Sequence, residues 1–116
     1  MRFLILIFLF SSSLQANTTI TDQEAEAFMK KYDSFFEKKE AGKIDEIYSP
    51  EFFVDKKTKA EFIENFKADK DKHTKSEFKI EKQNGEFKVL KVNKDRMFFL
   101  KKTKDGIRLH QKMEAE

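Results

Sequence analysis

Apolar residues follow three rhythms along this chain of 116 residues, and the changes between them divide it. Phe3 to Phe10 is an unbroken apolar run behind Arg2. Further on, Ala25, Phe28, Met29, Tyr32, Phe35 and Phe36 recur at i, i+3, i+4, i+7, i+10 and i+11, the stripe of an amphipathic helix. Thr21 and Glu24 have the T-x-x-E spacing that satisfies orphan amides at a helix start, and Gly42 suits a C-terminal cap, so the helix is expected to run from one to the other. Ile44, Ile47 and Tyr48 predict a short second helix stopped by Ser49 and Pro50, because the residue before proline resists helical geometry. Phe52 to Val54 reads as a short extended segment. Thr58 and Glu61 repeat the capping spacing ahead of Phe62, Ile63 and Phe66, which predicts a third helix closing near Asp69. Residues 69–75 are wholly polar and read as a loop.

From Ser76 the period becomes two. Strands are expected at about 77–83, 86–92, 96–103 and 107–113. Asn84 and Gly85 form a favoured two-residue hairpin turn, a register that sets Ile80 opposite Val89 and Glu81 opposite Lys88. Residues 93–95 and 104–106 supply the other turns, giving an antiparallel meander. Helices first and sheet second define an α+β domain.

The N-terminal run changes the picture of where the chain works. A basic Arg2, the apolar stretch and the small polar residues Ser11 to Ala16 have the layout of a secretory signal peptide, too short for a span of roughly 20 apolar residues. Cleavage after Ala16 leaves one domain over 17–116 and removes one basic residue, so 23 basic face 21 acidic residues. The short leader and the bias to Lys, Phe and Ile suggest a bacterial protein exported to the periplasm or beyond, without a stable membrane anchor; the Asn17, Thr18, Thr19 sequon is then coincidental. Basic and acidic residues alternate finely, as at Glu77, Lys79, Glu81 and Lys82, which is a solvated surface and not a nucleic-acid groove. With no cysteine, there is neither a disulfide nor a thiol nucleophile nor a lipid attachment point. Stability rests on burial, for which eleven phenylalanines beyond residue 16 suffice.

The segment G-K-I-D-E-I-Y-S-P-E-F-F at 42–53, set between a long amphipathic helix and a second capped helix and followed by the meander, resembles the NTF2-like (SnoaL-like) superfamily. Gly42, Lys43, Tyr48, Ser49, Pro50, Glu51 and Phe52 look like that family's passage out of helix one, and Asp105, Gly106, Ile107, Arg108 and Leu109 resemble its last strand, with Ile107 replacing the usual aromatic. A cystatin-like fold is the alternative. The resemblance implies a sheet bent around the helices into a cone whose mouth can hold an apolar ligand, lined by Tyr32, Phe36, Tyr48, Phe53, Phe99 and Leu109. The abundance of phenylalanine favours a cone filled by its own side chains. Family members often pair through the exposed sheet face, expected here to carry Lys79, Leu90, Val92, Arg108 and His110, which implies a monomer or weak homodimer.

The chemistry is sparse. Ketosteroid isomerases of this family use a general-base Asp with a Tyr and a protonated Asp as oxyanion donors, an arrangement well known for that enzyme. Asp55 lies near the base position, beside Phe35, Phe53 and Phe99 in that alignment. The donor positions fall near Phe35 and among Met97, Phe98 and Phe99, so the stabilisation that usually dominates such catalysis is missing. Next to Lys56 and Lys57, Asp55 is more simply a turn residue. His73 in the polar loop and His110, alternating with Arg108 and Lys112 opposite Ile107, Leu109 and Met113, both read as solvated, and neither gives metal-ligand spacing. No cofactor or metal is implied. The expectation is an exported noncatalytic module binding a small apolar ligand or a protein partner; the alternative is a small lyase, isomerase or hydrolase using Asp55 as base.

Overall fold

The computed structural model describes residues 18–114. The expected leader, its cleavage site and Asn17 lie outside the described residues. Three helices pack on one face of a four-stranded antiparallel sheet of order β1-β2-β3-β4, an open α+β arrangement.

Helix α1 spans Asp22–Lys38. The Thr21 hydroxyl accepts from the Glu24 amide at 3.1 Å while the Glu24 carboxylate accepts from the Thr21 amide at 3.0 Å, so both orphan donors are satisfied reciprocally. Its stripe of Ala25, Phe28, Met29, Tyr32 and Phe35 is buried. The helix stops before Gly42: Lys39 takes the left-handed cap at φ 54°, and the Glu40 amide bonds back to the Phe35 carbonyl. A non-glycine residue accepts that conformation at some steric cost. Here Lys39 gains contacts in return, its ammonium 5.1 Å above the Phe66 ring and 3.9 Å from Asp69. Gly42 instead sits in a 3-10 turn, Ala41–Lys43, that leads into the single-turn helix α2, Ile44–Ile47.

Two further expectations are corrected here. Residues 52–54 form no strand: Phe52 ends the 3-10 turn Pro50–Phe52, and the extended backbone begins only at Phe53. Proline at the first helical position is pre-set for such a turn, and curling lets Phe52 and Phe53 pack on Tyr48 at 4.5 and 5.5 Å. Strand-like pairing occurs one step earlier, at Tyr48, which bridges Leu109 in parallel while the Ser49 amide donates to the Leu109 carbonyl. Helix α3, Lys56–Ala68, is capped by Asp55 and not by Thr58, whose amide donates to Asp55 Oδ1 at 2.7 Å. It closes on Asp69.

The strands are β1 Phe78–Asn84, β2 Phe87–Val92, β3 Arg96–Thr103 and β4 Gly106–Glu114. The first hairpin turns at Gly85 and Glu86, with Gly85 at φ 61°, so Asn84 pairs with Phe87 and Ile80 with Leu90, not with Val89. A bulge at Glu81 then restores alternation, with Lys82 opposite Val89. This register puts Leu90 and Val92 on the helix-covered face with Phe98, Leu100 and Leu109, all buried. Leu90 and Val92 are therefore core residues and not part of the exposed face, because a one-residue slip exchanges the two faces of a strand. Lys88 ends the inner row of β2 and reaches Asp22 at 2.8 Å, tying the start of α1 to the sheet. Arg108 spends its guanidinium on the backbone carbonyls of Asp45, Asp105 and Ile107, which fastens α2 against β4.

A second bulge decides the site. Leu100 faces Leu109 but Phe99 faces Gln111, so His110 is the extra residue of β4. Beyond it the pleat inverts, and Lys112 lies opposite Phe98 on the same face as Leu109.

Candidate functional site

Where α1, Tyr48, α3 and the 69–77 connection meet the ends of β2, β3 and β4, they leave a recess of about 400 Å³. Its apolar wall is Phe36, Phe62, Val92 and Phe98, and two phenols, Tyr32 and Tyr48, complete its inner part. The Tyr32 ring sits 4.8 Å from Phe36 and edge-on to Phe98 at 5.3 Å. The two phenols are close enough for each to act on the other's ionisation. Burial pushes the Tyr32 phenol up to about 12, with Arg96 acting against the rise, and lifts the Tyr48 phenol further for the same reason. Both are therefore neutral donors at ordinary pH. A neutral phenol can donate its proton to a ligand acceptor.

The mouth is polar: His73, Thr74, Ser76, Asp95, Arg96 and Lys112. His73 is not solvated as its loop suggests. It is half-buried, stacks on Phe36 at 5.4 Å, and its Nε2 lies 2.9 Å from Asp33 Oδ1. A carboxylate only accepts, so Nε2 carries the proton of that bond. The same carboxylate accepts from the Ser76 hydroxyl at 2.7 Å and from the Ser76 amide. Asp33 thus holds the long connection against α1. Among the described residues, Arg96 and Lys112 make no ion pair, even though Glu114 lies directly across from Arg96.

Of the residues the sequence singles out, Tyr32, Phe36 and Tyr48 meet in this recess. Phe53 and Asp55 line a separate surface depression with Ser49, Pro50 and Val54. Leu109 is fully buried in the core, and Phe99 lies on the opposite sheet face, its ring 6.4 Å from Phe87. Asp55 consequently does not neighbour Phe99. It is exposed, and the Thr58 amide it caps holds its carboxyl below the usual range. His110 lies 3.4 Å from Ser49 Oγ and 5.0 Å from the Phe87 ring. Among the described residues no cluster of three His, Asp or Glu side chains could hold a metal ion, and no helix is long and apolar enough to cross a membrane.

The sequence reading misses Asp33, Ser76, Arg96 and Lys112. Arg96 could have been found, because it shares the parity of Phe98 and Leu100. Lys112 could not, because strict alternation puts it with Arg108 and only the bulge moves it. No protein-family model, characterised protein or solved structure matches the chain.

Proposed function

We propose that the chain is an exported, noncatalytic binding module of NTF2-like kind, which takes a small ligand with a substantial apolar part and acts as a monomer or weak homodimer. The observation that carries this reading is the recess of about 400 Å³ between helices and sheet, with an aromatic wall and a pair of neutral phenols. The aromatic inner wall offers an apolar surface beneath a polar mouth, and the volume lies at the small end of ligand sites. The order of elements and the passage at 42–53 support the family, and the Arg2 to Ala16 layout supports export.

Catalysis through Asp55 is disfavoured, since its carboxylate caps α3 in solvent. An acid–base reading draws better on His73, which lines the recess and is held by Asp33. The binding reading is tested by titrating the folded chain with indole, a small aromatic probe, and following backbone and aromatic resonances. Saturable shifts are expected at Phe36, Phe62, Val92 and Phe98, with recovery of unaltered probe. Absence of saturable shifts there would overturn the binding reading, and recovery of a chemically changed probe would favour the enzyme. Mass spectrometry of the exported product is expected to give a chain starting at Asn17, whereas a membrane-bound product retaining Met1 would refute cleavage.

A further inference from the structure

The mouth of the recess is charged in a way that an apolar ligand alone does not explain. Arg96 opens β3 and Lys112 lies near the end of β4, on the sheet face that the helices cover. Both line the recess, and neither has an acidic partner within ion-pair distance among the described residues. Elsewhere cations on the covered side of the sheet are matched: Lys88 pairs with Asp22 and Lys102 with Glu24. At the mouth the matching fails. Asp33 is nearby, but His73 and Ser76 occupy it, and Asp95 is the one carboxylate among the lining residues.

Two cations held side by side repel each other unless an anion joins them. Their proximity is felt at Lys112, whose pKa is lowered by burial and by the charge of Arg96, with Asp95 offsetting only part. The Arg96 charge also reaches the Tyr32 phenol further in. A guanidinium offers the fork of donors that fits a carboxylate, and an ammonium beside it adds a point charge.

We propose that Arg96 and Lys112 form an anion-recognition end of this recess, so that its ligand is a small aromatic carboxylate. The carboxylate sits between the two cations, and the ring lies against Phe36, Phe62 and Phe98, with the neutral Tyr32 and Tyr48 phenols lining the rest of the recess. The proposal rests on the binding reading above and names the class of ligand for the same site.

The test compares two probes of equal shape, 2-naphthoate and the neutral 2-naphthamide, by calorimetry and resonance shifts on the folded chain. The expected result is naphthoate binding about tenfold or more tightly, with affinity that falls as salt is raised, while naphthamide binding is insensitive to salt. Arg96→Gln with Lys112→Gln should abolish the preference and leave naphthamide binding at Phe36 and Phe98 intact, which also shows that the variant remains folded. Equal affinity for the two probes, or a preference that survives the double substitution, would overturn the anion site while the binding reading stands. Failure of both probes to bind would overturn both.

Discussion

Replacing Phe35 by alanine tests the packing on which the domain depends. Phe35 lies in the last turns of α1 and is 2% exposed. Its ring stacks on Phe66 of α3 at 4.6 Å with planes 18° apart, and meets Phe36 and Tyr48 edge-on at 5.1 and 6.3 Å. One side chain therefore joins α1, α3 and the Tyr48 segment that continues the sheet edge. Truncation of a buried phenylalanine costs about 3–5 kcal/mol through lost transfer energy and the cavity left behind. The upper part of that range applies, because three aromatic contacts of about 0.5–1.5 kcal/mol each disappear and rings fixed from both helices cannot easily collapse into the space. Small domains carry roughly 5–15 kcal/mol in total, so the loss is a large share. With a urea slope of about 1.5 kcal/mol per M, the midpoint should fall by about 3 M. Far-UV circular dichroism in urea measures it. Val54, 90% exposed, provides the control, since Val54→Ala should change stability by no more than about 0.5 kcal/mol. A Phe35→Ala midpoint within about 0.5 M of wild type would refute the packing described above.

The buried phenols predict a loss of stability at alkaline pH. Because folding raises Tyr32 from its usual value near 10 to about 12 and lifts Tyr48 as well, the unfolded chain ionises first; this contribution is intact below pH 10 and erodes as pH rises through 12. Thermal melts between about pH 9 and pH 12 should show a steeper decline for wild type than for the double variant Tyr32→Phe, Tyr48→Phe, and equal declines would contradict it. With these two tyrosines and no tryptophan in the chain, absorbance near 295 nm should report tyrosinate only as the protein unfolds. Asp33→Ala should strip the Ser76 hydroxyl and amide and the His73 ring of their acceptor, at a cost of roughly 1–3 kcal/mol. Amide exchange should quicken at residues 73–77, and unchanged protection there would show that the connection is held by something else.

Local physics made much of the fold legible. The capping box at Thr21 and Glu24 and the stripe from Ala25 to Phe36 needed only neighbours within four residues to declare a helix. The end of the third helix at Asp69 and the four alternating segments followed in the same way. Where a residue had two local options, the sequence reading chose wrongly. Gly42 was the better left-handed cap by intrinsic freedom, but Lys39 took the position because Phe66 and Asp69 await its side chain. Asn84 and Gly85 were the favoured turn pair, but the chain turns one residue later and absorbs the difference in a bulge at Glu81.

The sequence by itself thus determined the class, the helices, the meander and the identity of most core residues, because periodicity and capping act over one or two turns of chain. Tertiary structure decided register and site. A bulge at His110 costs one residue of pairing and leaves no mark on composition, yet it inverts the pleat and brings Lys112 beside Phe98. His73 became a mouth residue because Asp33, forty positions away, accepts its Nε2 proton and both hydrogens of Ser76, a gain that exists only once α1 and the connection are side by side. The recess is a property of these long-range meetings: Tyr32, Phe36 and Tyr48 were placed in a pocket from the sequence, Arg96 could have joined them by its parity with Phe98, and Lys112 was brought in only by the bulge.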